Sequence, residues 1–153
     1  MDAHRFLILA LVVALTIGAV VLVRVWVGRR RLRLLEAPAA ELWQQLGVSP
    51  DDRPTLVAFS SPACAACHTA QTPALRQLQA QLGERGVRVL EVDVADQPTT
   101  ADAFGILTVP STVLLRRDAV LEVNHGFRPT RRLAEQVALA SRWGERRRGA
   151  EKH

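Results

Sequence analysis

The apolar residues of this chain are concentrated at one end. Residues 6–23 read FLILALVVALTIGAVVLV, a stretch without a charge, and Val25, Trp26 and Val27 continue it past Arg24. A helix rises about 1.5 Å per residue, so about 20 residues cover the ~30 Å of a bilayer's hydrocarbon core. The pattern predicts a transmembrane helix over residues 6–27, with Arg24 snorkelling and Trp26 at the interface. A cleaved signal peptide is the main alternative. Against it stand the length of the run, the lack of a small-x-small cleavage site after it, and the Arg29, Arg30, Arg31 and Arg33 that follow instead. A core helix apolar on every face would need a far larger protein around it.

Past this run the periodicity changes repeatedly. Residues 39–46 predict a short helix that packs Leu42, Trp43 and Leu46, entered through Pro38 and ended by Gly47. SPDDRP at 49–54 is turn chemistry, and TLVAFS at 55–60 reads as a buried strand. Residues 64–82 then repeat Cys67, Ala70, Ala74, Leu75, Leu78 and Leu82 at helical spacing, closed by Gly83 and Gly86. VRVLEVDV at 87–94 is a second strand, which makes a right-handed βαβ unit with parallel strands. A short helix is expected over 99–104 and a hairpin over 111–117 and 120–125, turning at Asp118 and Ala119. A closing helix over 130–143 turns Leu133, Val137, Leu139 and Ala140 inward, and the polar tail GERRRGAEKH reads as disordered. The expected partition is an N-terminal flank at 1–5, the transmembrane helix at 6–27, a basic juxtamembrane connector and helix at 28–48, one domain at 49–143 and the tail at 144–153.

Composition narrows the possibilities. The 153 residues are 48% hydrophobic and 23% charged, which is a folding composition, and 20 basic against 15 acidic side chains give +5. All the basic residues except Lys152 are arginine, clustered at 24–33 and 142–148. No basic stripe crosses the middle of the chain, so nucleic acid is not an expected partner. Weighed against Arg5 before the apolar run, the arginines after it place the C-terminal domain in the cytoplasm by the positive-inside rule, with an extracytoplasmic domain as the alternative. The same arginines would touch anionic headgroups, so membrane lipid is an expected partner. Two cysteines cannot make a disulfide scaffold or a four-thiolate zinc site, and no metal is expected.

Cys64 and Cys67 follow the first strand and open the helix after it. Unpaired backbone N–H groups and the positive end of the helix dipole favour a negative sulfur there, which makes Cys64 the expected attacking thiolate. Cys67, one turn along the same face, is placed to attack a mixed disulfide formed at Cys64. The pair has the spacing of a reversible dithiol switch.

Three segments carry a resemblance wider than CxxC: TLVAFSSPACAAC, VDVADQP and AFGILTVPST. With the spacing from Pro98 through Phe104 and Pro110 to Gly126, they make residues 54–141 resemble the thioredoxin superfamily. The resemblance implies a thioredoxin-like α/β fold, βαβ plus ββα, with a central mixed sheet flanked by helices. It implies a thiol:disulfide oxidoreductase that works without a bound cofactor on protein disulfides or dithiols, coupled to an upstream thiol reductant or oxidant. Cys64 and Cys67 match the redox pair, and Pro110 matches the cis-proline beside the sulfurs. Val109 matches the residue whose backbone pairs with an extended substrate, and Gly126 a glycine on the groove rim.

The departures from the family pattern concern proton handling. Ala58 stands where many thioredoxins have a buried aspartate serving the resolving cysteine, and Ala63 where a tryptophan is usual. Glu91 falls where a lysine is common, so its carboxylate is a candidate base for Cys67; alternatively it points to solvent. His68 either stabilises a thiolate by its charge or is a surface residue of the first turn. Ala65-Ala66 between the cysteines does not say whether the pair reduces or oxidises. CAACH is also a literal CxxCH, the attachment pattern of c-type haem, and a non-catalytic thioredoxin-like adaptor is a further alternative.

Overall fold

A computed structural model describes residues 2–151, and the chain divides into two compact units, 1–33 and 34–153. The first unit is helical. Helix α1, Asp2–Glu36, holds the apolar run, whose large side chains are exposed along its whole length. It is long and apolar enough to cross a membrane. The helix exceeds the expected span of 6–27 at both ends, because arginine, leucine and glutamate are good helix formers and nothing interrupts them before Pro38. Proline disfavours the helical conformation of the residue before it, and the chain leaves the helix at Ala37.

The second unit is a sheet between two helical layers. Its elements in order are α2 (Ala39–Leu46), β1 (Thr55–Ser60), a π-helical turn (Cys67–Gln71), α3 (Thr72–Gly86), β2 (Arg88–Asp93), α4 (Pro98–Ala103), β3 (Ser111–Arg116), β4 (Ala119–His125) and α5 (Thr130–Glu151). The strand order is β2-β1-β3-β4, with β1 parallel to β2 and antiparallel to β3, and β3 antiparallel to β4. This is the expected mixed sheet. Alternation along β1 divides the core between the two faces. Val57 and Phe59 join Leu42 and Trp43 of α2 and Phe104 beyond α4, with the Phe59 and Phe104 rings 5.3 Å apart. Leu56 and Ala58 join Leu75 and Leu78 of α3 and Leu133, Val137 and Ala140 of α5.

Four local expectations are corrected. The hairpin turns at Arg117 and Asp118, one residue earlier than expected. Among the described residues no non-glycine residue takes positive φ, so this is not one of the mirror-image turns that match strand twist, and a register shift after Leu114 accompanies it. Leu139 does not face inward but is 60% exposed, because the buried stripe of α5 runs 133, 137, 140 and position 139 falls outside it. The expected disordered tail is helical through Glu151; residues 152 and 153 lie outside the described part. Gly144 does not break α5 because its missing side chain is used: a Cβ there would lie 2.3 Å from Cζ of Arg116, whose buried guanidinium occupies that space. Finally, the helix expected over 64–82 contains the π turn.

Candidate active site

Strand register brings the candidate residues to one end of the sheet. Phe59 pairs with Ser111, so the exit of β1 toward Cys64 lies beside the entry to β3 from Pro110. Ser111 pairs in turn with His125, which brings Gly126 to the same end. Three loops that are distant in sequence therefore converge where no strand continues.

The cysteines sit at the helix start that leaves β1. The Cys64 amide donates to the Ser61 carbonyl at 3.0 Å, closing the turn before the helix. The Cys67 N–H donates both to the Cys64 carbonyl and to Cys64 Sγ, each at 3.1 Å. The two sulfurs are joined as a disulfide with a Cα–Cα distance of 5.3 Å. Cys64 is half-buried while Cys67 is 1% exposed, so an incoming molecule meets Cys64 first.

His68 is exposed, and its Nε2 lies 3.2 Å from the Pro62 carbonyl. A carbonyl only accepts, so the ring donates through Nε2 and ties the helix to the turn ahead of Cys64. The π turn follows at once, with the Thr72 N–H reaching back to the Cys67 carbonyl. Pro73 has no N–H to give the Thr69 carbonyl, and the widened turn falls immediately before it.

The Val109–Pro110 bond is cis. Pro110 is buried and Val109 half-buried against the α2 and α4 side of the core. The Gly126 N–H donates to the Pro110 carbonyl at 2.8 Å. Gly126 has φ +82 with open space where a Cβ would stand, so its backbone conformation, and not crowding, calls for glycine. The Ser111 hydroxyl donates to the Thr108 carbonyl at 2.7 Å and lies 3.4 Å from His125 Nδ1.

Glu91 is exposed on β2, in register with Ala58. Among the described residues no cluster of His, Cys, Asp and Glu is suited to a metal ion.

A polar cluster behind the cysteines was not read from the sequence. Gln71, 3% exposed, accepts from the Arg128 N–H at 3.0 Å and donates to the Arg128 carbonyl at 3.5 Å. Arg128 Nε donates to Asn124, whose amide reaches Thr112 and Gln136. The available clue was spacing: Gln71 stands four residues after Cys67, on the helix face that is otherwise apolar.

A bonded cysteine pair at a helix start, with the more accessible sulfur first and a cis-proline at the same end of the sheet, is an arrangement suited to thiol:disulfide exchange on an α/β scaffold. The thioredoxin family model matches residues 38–139. The thioredoxin of Bacillus subtilis is 27% identical over 94 residues, covering 61% of this chain and 88% of that protein. The thioredoxin of Listeria monocytogenes is 28% identical over 82 residues, covering 54% of this chain and 78% of that one. Among solved structures, a thioredoxin-2 described as a component of malaria parasite protein secretion machinery superposes with a TM-score of 0.56. It is 24% identical and covers 60% of this chain and 87% of its own. Chloroplastic thioredoxin z gives a TM-score of 0.52 at 25% identity, covering 58% and 79%. The chain belongs to the thioredoxin family, and with its Cys64–Cys67 pair it is a thiol:disulfide oxidoreductase.

Proposed function

We propose that this protein is a membrane-anchored thioredoxin whose Cys64–Cys67 pair exchanges disulfides with protein substrates near the bilayer. The observation that carries the chemistry is the Cys67 N–H held 3.1 Å from the sulfur of the more accessible Cys64. In the reducing direction the Cys64 thiolate attacks a substrate disulfide. A Cys64–substrate bond forms, and the displaced substrate sulfur leaves as a thiolate and takes a proton from water. Cys67 gives up its proton and attacks Cys64 Sγ, forming the internal disulfide and releasing the second substrate sulfur. Two electrons pass from the pair to the substrate, and an upstream thiol reductant restores the dithiol; an upstream oxidant would drive the same steps backward.

In this reading Pro110, Val109 and Gly126 form the groove where an extended substrate segment lies. Glu91 and His68 are the candidates for proton handling at Cys67 and Cys64, because Ala58 supplies no acid. Helix α1 crosses the bilayer and holds the protein by lipid contact, with the arginines after it placing the domain in the cytoplasm. Family membership and the bonding of the two sulfurs to each other favour this reading over haem attachment through CxxCH, and the presence of both cysteines favours it over a non-catalytic adaptor.

Two assays test it. The full chain in detergent micelles should reduce insulin with dithiothreitol above the reagent's own rate and show no Soret band; background-rate reduction removes the catalytic reading. A C-terminal reporter fusion should report a cytoplasmic C-terminus, and activity only outside the cytoplasm reverses the topology.

A further inference from the structure

Phe127 joins two anchored residues. On one side Gly126 donates to the Pro110 carbonyl at 2.8 Å. On the other, both backbone groups of Arg128 are taken by the buried side chain of Gln71, at 3.0 and 3.5 Å. The Arg128 guanidinium adds a bond to Asn124 at 3.2 Å. The main chain is thus tied on both sides of Phe127, yet the residue is 42% exposed. Among the described residues beyond residue 33, the exposed large apolar side chains are Leu82, Leu107, Phe127 and Leu139. Two of these, Leu107 and Phe127, lie within three residues of the Val109–Pro110 bond or next to its partner Gly126.

A large apolar side chain left in water on a mobile loop has little meaning, because it moves with the loop. On a backbone fixed at both neighbours it presents a preset apolar surface, and contact with it removes water without an added ordering cost. Gln71 does the fixing from the last residue of the π turn that Cys67 begins, so one short segment carries the resolving sulfur and the tether of the rim.

We propose that Phe127 is a specificity-determining residue that receives an apolar side chain flanking the substrate cysteine, and that Gln71 is the positioning residue that holds it beside the cis-proline. The inference rests on the proposed exchange with protein substrates. It names their class: segments whose cysteine is flanked by leucine, phenylalanine or similar residues, in preference to serine or glycine. Leu107, exposed two residues before Val109, is a second large apolar side chain near the cis bond in sequence.

The test uses the reduced full-length chain in detergent micelles under single-turnover conditions. Two disulfide-linked peptides are compared, one with leucine and phenylalanine flanking the cysteine and one with serine and glycine, alongside hydroxyethyl disulfide. The wild type should react about tenfold faster with the apolar peptide, the range in which an apolar contact discriminates. Phe127→Ser should bring the ratio of the two peptide rates to about unity. Gln71→Met, which keeps size but removes both bonds to Arg128, should lower it at least threefold. Each ratio is taken within one variant, so a general loss of active protein cancels from it. A wild type without preference, or a Phe127→Ser variant that keeps it, overturns the inference while leaving disulfide exchange intact. A wild type that reacts with none of the three compounds overturns the exchange reading itself.

Discussion

The backbone N–H of Cys67 points at Sγ of Cys64 from 3.1 Å, while Cys67 itself is almost fully buried. One residue is thereby placed for two tasks: its amide is positioned to stabilise negative charge that forms on Cys64 Sγ, and its own sulfur is held out of contact with solvent. Hydrogen bonds to an ionised acceptor are about twice as strong as neutral ones, so this contact gains most when Cys64 becomes a thiolate. The result is a division of labour set by position along a helix start.

Removing the second sulfur should stop the reaction halfway. Cys67→Ser is expected to accumulate a covalent Cys64–substrate adduct, visible as a mass increase that reductant reverses, whereas Cys64→Ser should form no adduct. Adducts through Cys67 in the Cys64→Ser variant would reverse the assignment.

Gly126 is a second point of leverage. Alanine meets no atoms there, but it must adopt φ +82, which costs about 1–2 kcal/mol for a residue with a side chain. Gly126→Ala should lower the unfolding free energy obtained from urea denaturation by that amount and weaken protein-substrate exchange more than exchange with small disulfides, because the bond to the Pro110 carbonyl shifts. Equal losses on both substrate types would remove Gly126 from the groove.

The two leucines of α5 make opposite predictions. Leu133→Ala empties a fully buried site between β3 and α3 layers of one core cluster and should cost about 2–5 kcal/mol. Leu139→Ala removes a side chain that is 60% exposed and should stay within about 0.5 kcal/mol of wild type. Urea denaturation of both variants checks the assignment of the buried stripe.

These leucines also show how far the sequence could be read. The dithiol, the parallel β1–β2 pair and the limits of α2 followed from strong local chemistry: CxxC after an apolar run, two apolar runs around a helical one, Pro38 and Gly47 around eight residues. The cis-proline position followed only from the resemblance of AFGILTVPST to the family. Leu139 was misread because a helix with six apolar residues in the eight positions 133–140 permits more than one stripe, and packing against Leu56 and Leu114 selects among them. The helical tail was misread because a polar, charge-rich run has no apolar face to signal a helix, and the fit of Arg116 against Gly144 is a tertiary contact. Gln71 escaped notice because its place on an otherwise apolar helix face signals burial but does not reveal that its amide bonds a loop 57 residues away.

Acid should expose one surface cluster. The Arg53 side chain donates to Asp51 at 2.9 Å and, with the Arg53 amide and the charges of Arg53 and Arg88, holds the Asp51 carboxyl below the usual carboxylate range against an opposing effect of burial. A lowered folded-state value means that the contribution is complete above the unfolded value of about 4 and is lost as pH falls through the folded one. The wild-type urea midpoint should therefore fall more steeply below about pH 4 than that of Asp51→Asn. Parallel curves would show that the cluster adds nothing.

The most direct test of the account is the pH dependence of Cys64 alkylation by iodoacetamide in the reduced full-length chain, with Cys67→Ser used to assign the signal. Free cysteine reaches half its maximal rate near about pH 8.5. A thiolate held by the Cys67 amide and the helix start should reach it at least one pH unit lower. A half-maximum at or above the free-thiol value would contradict the claim that this backbone prepares Cys64 to attack.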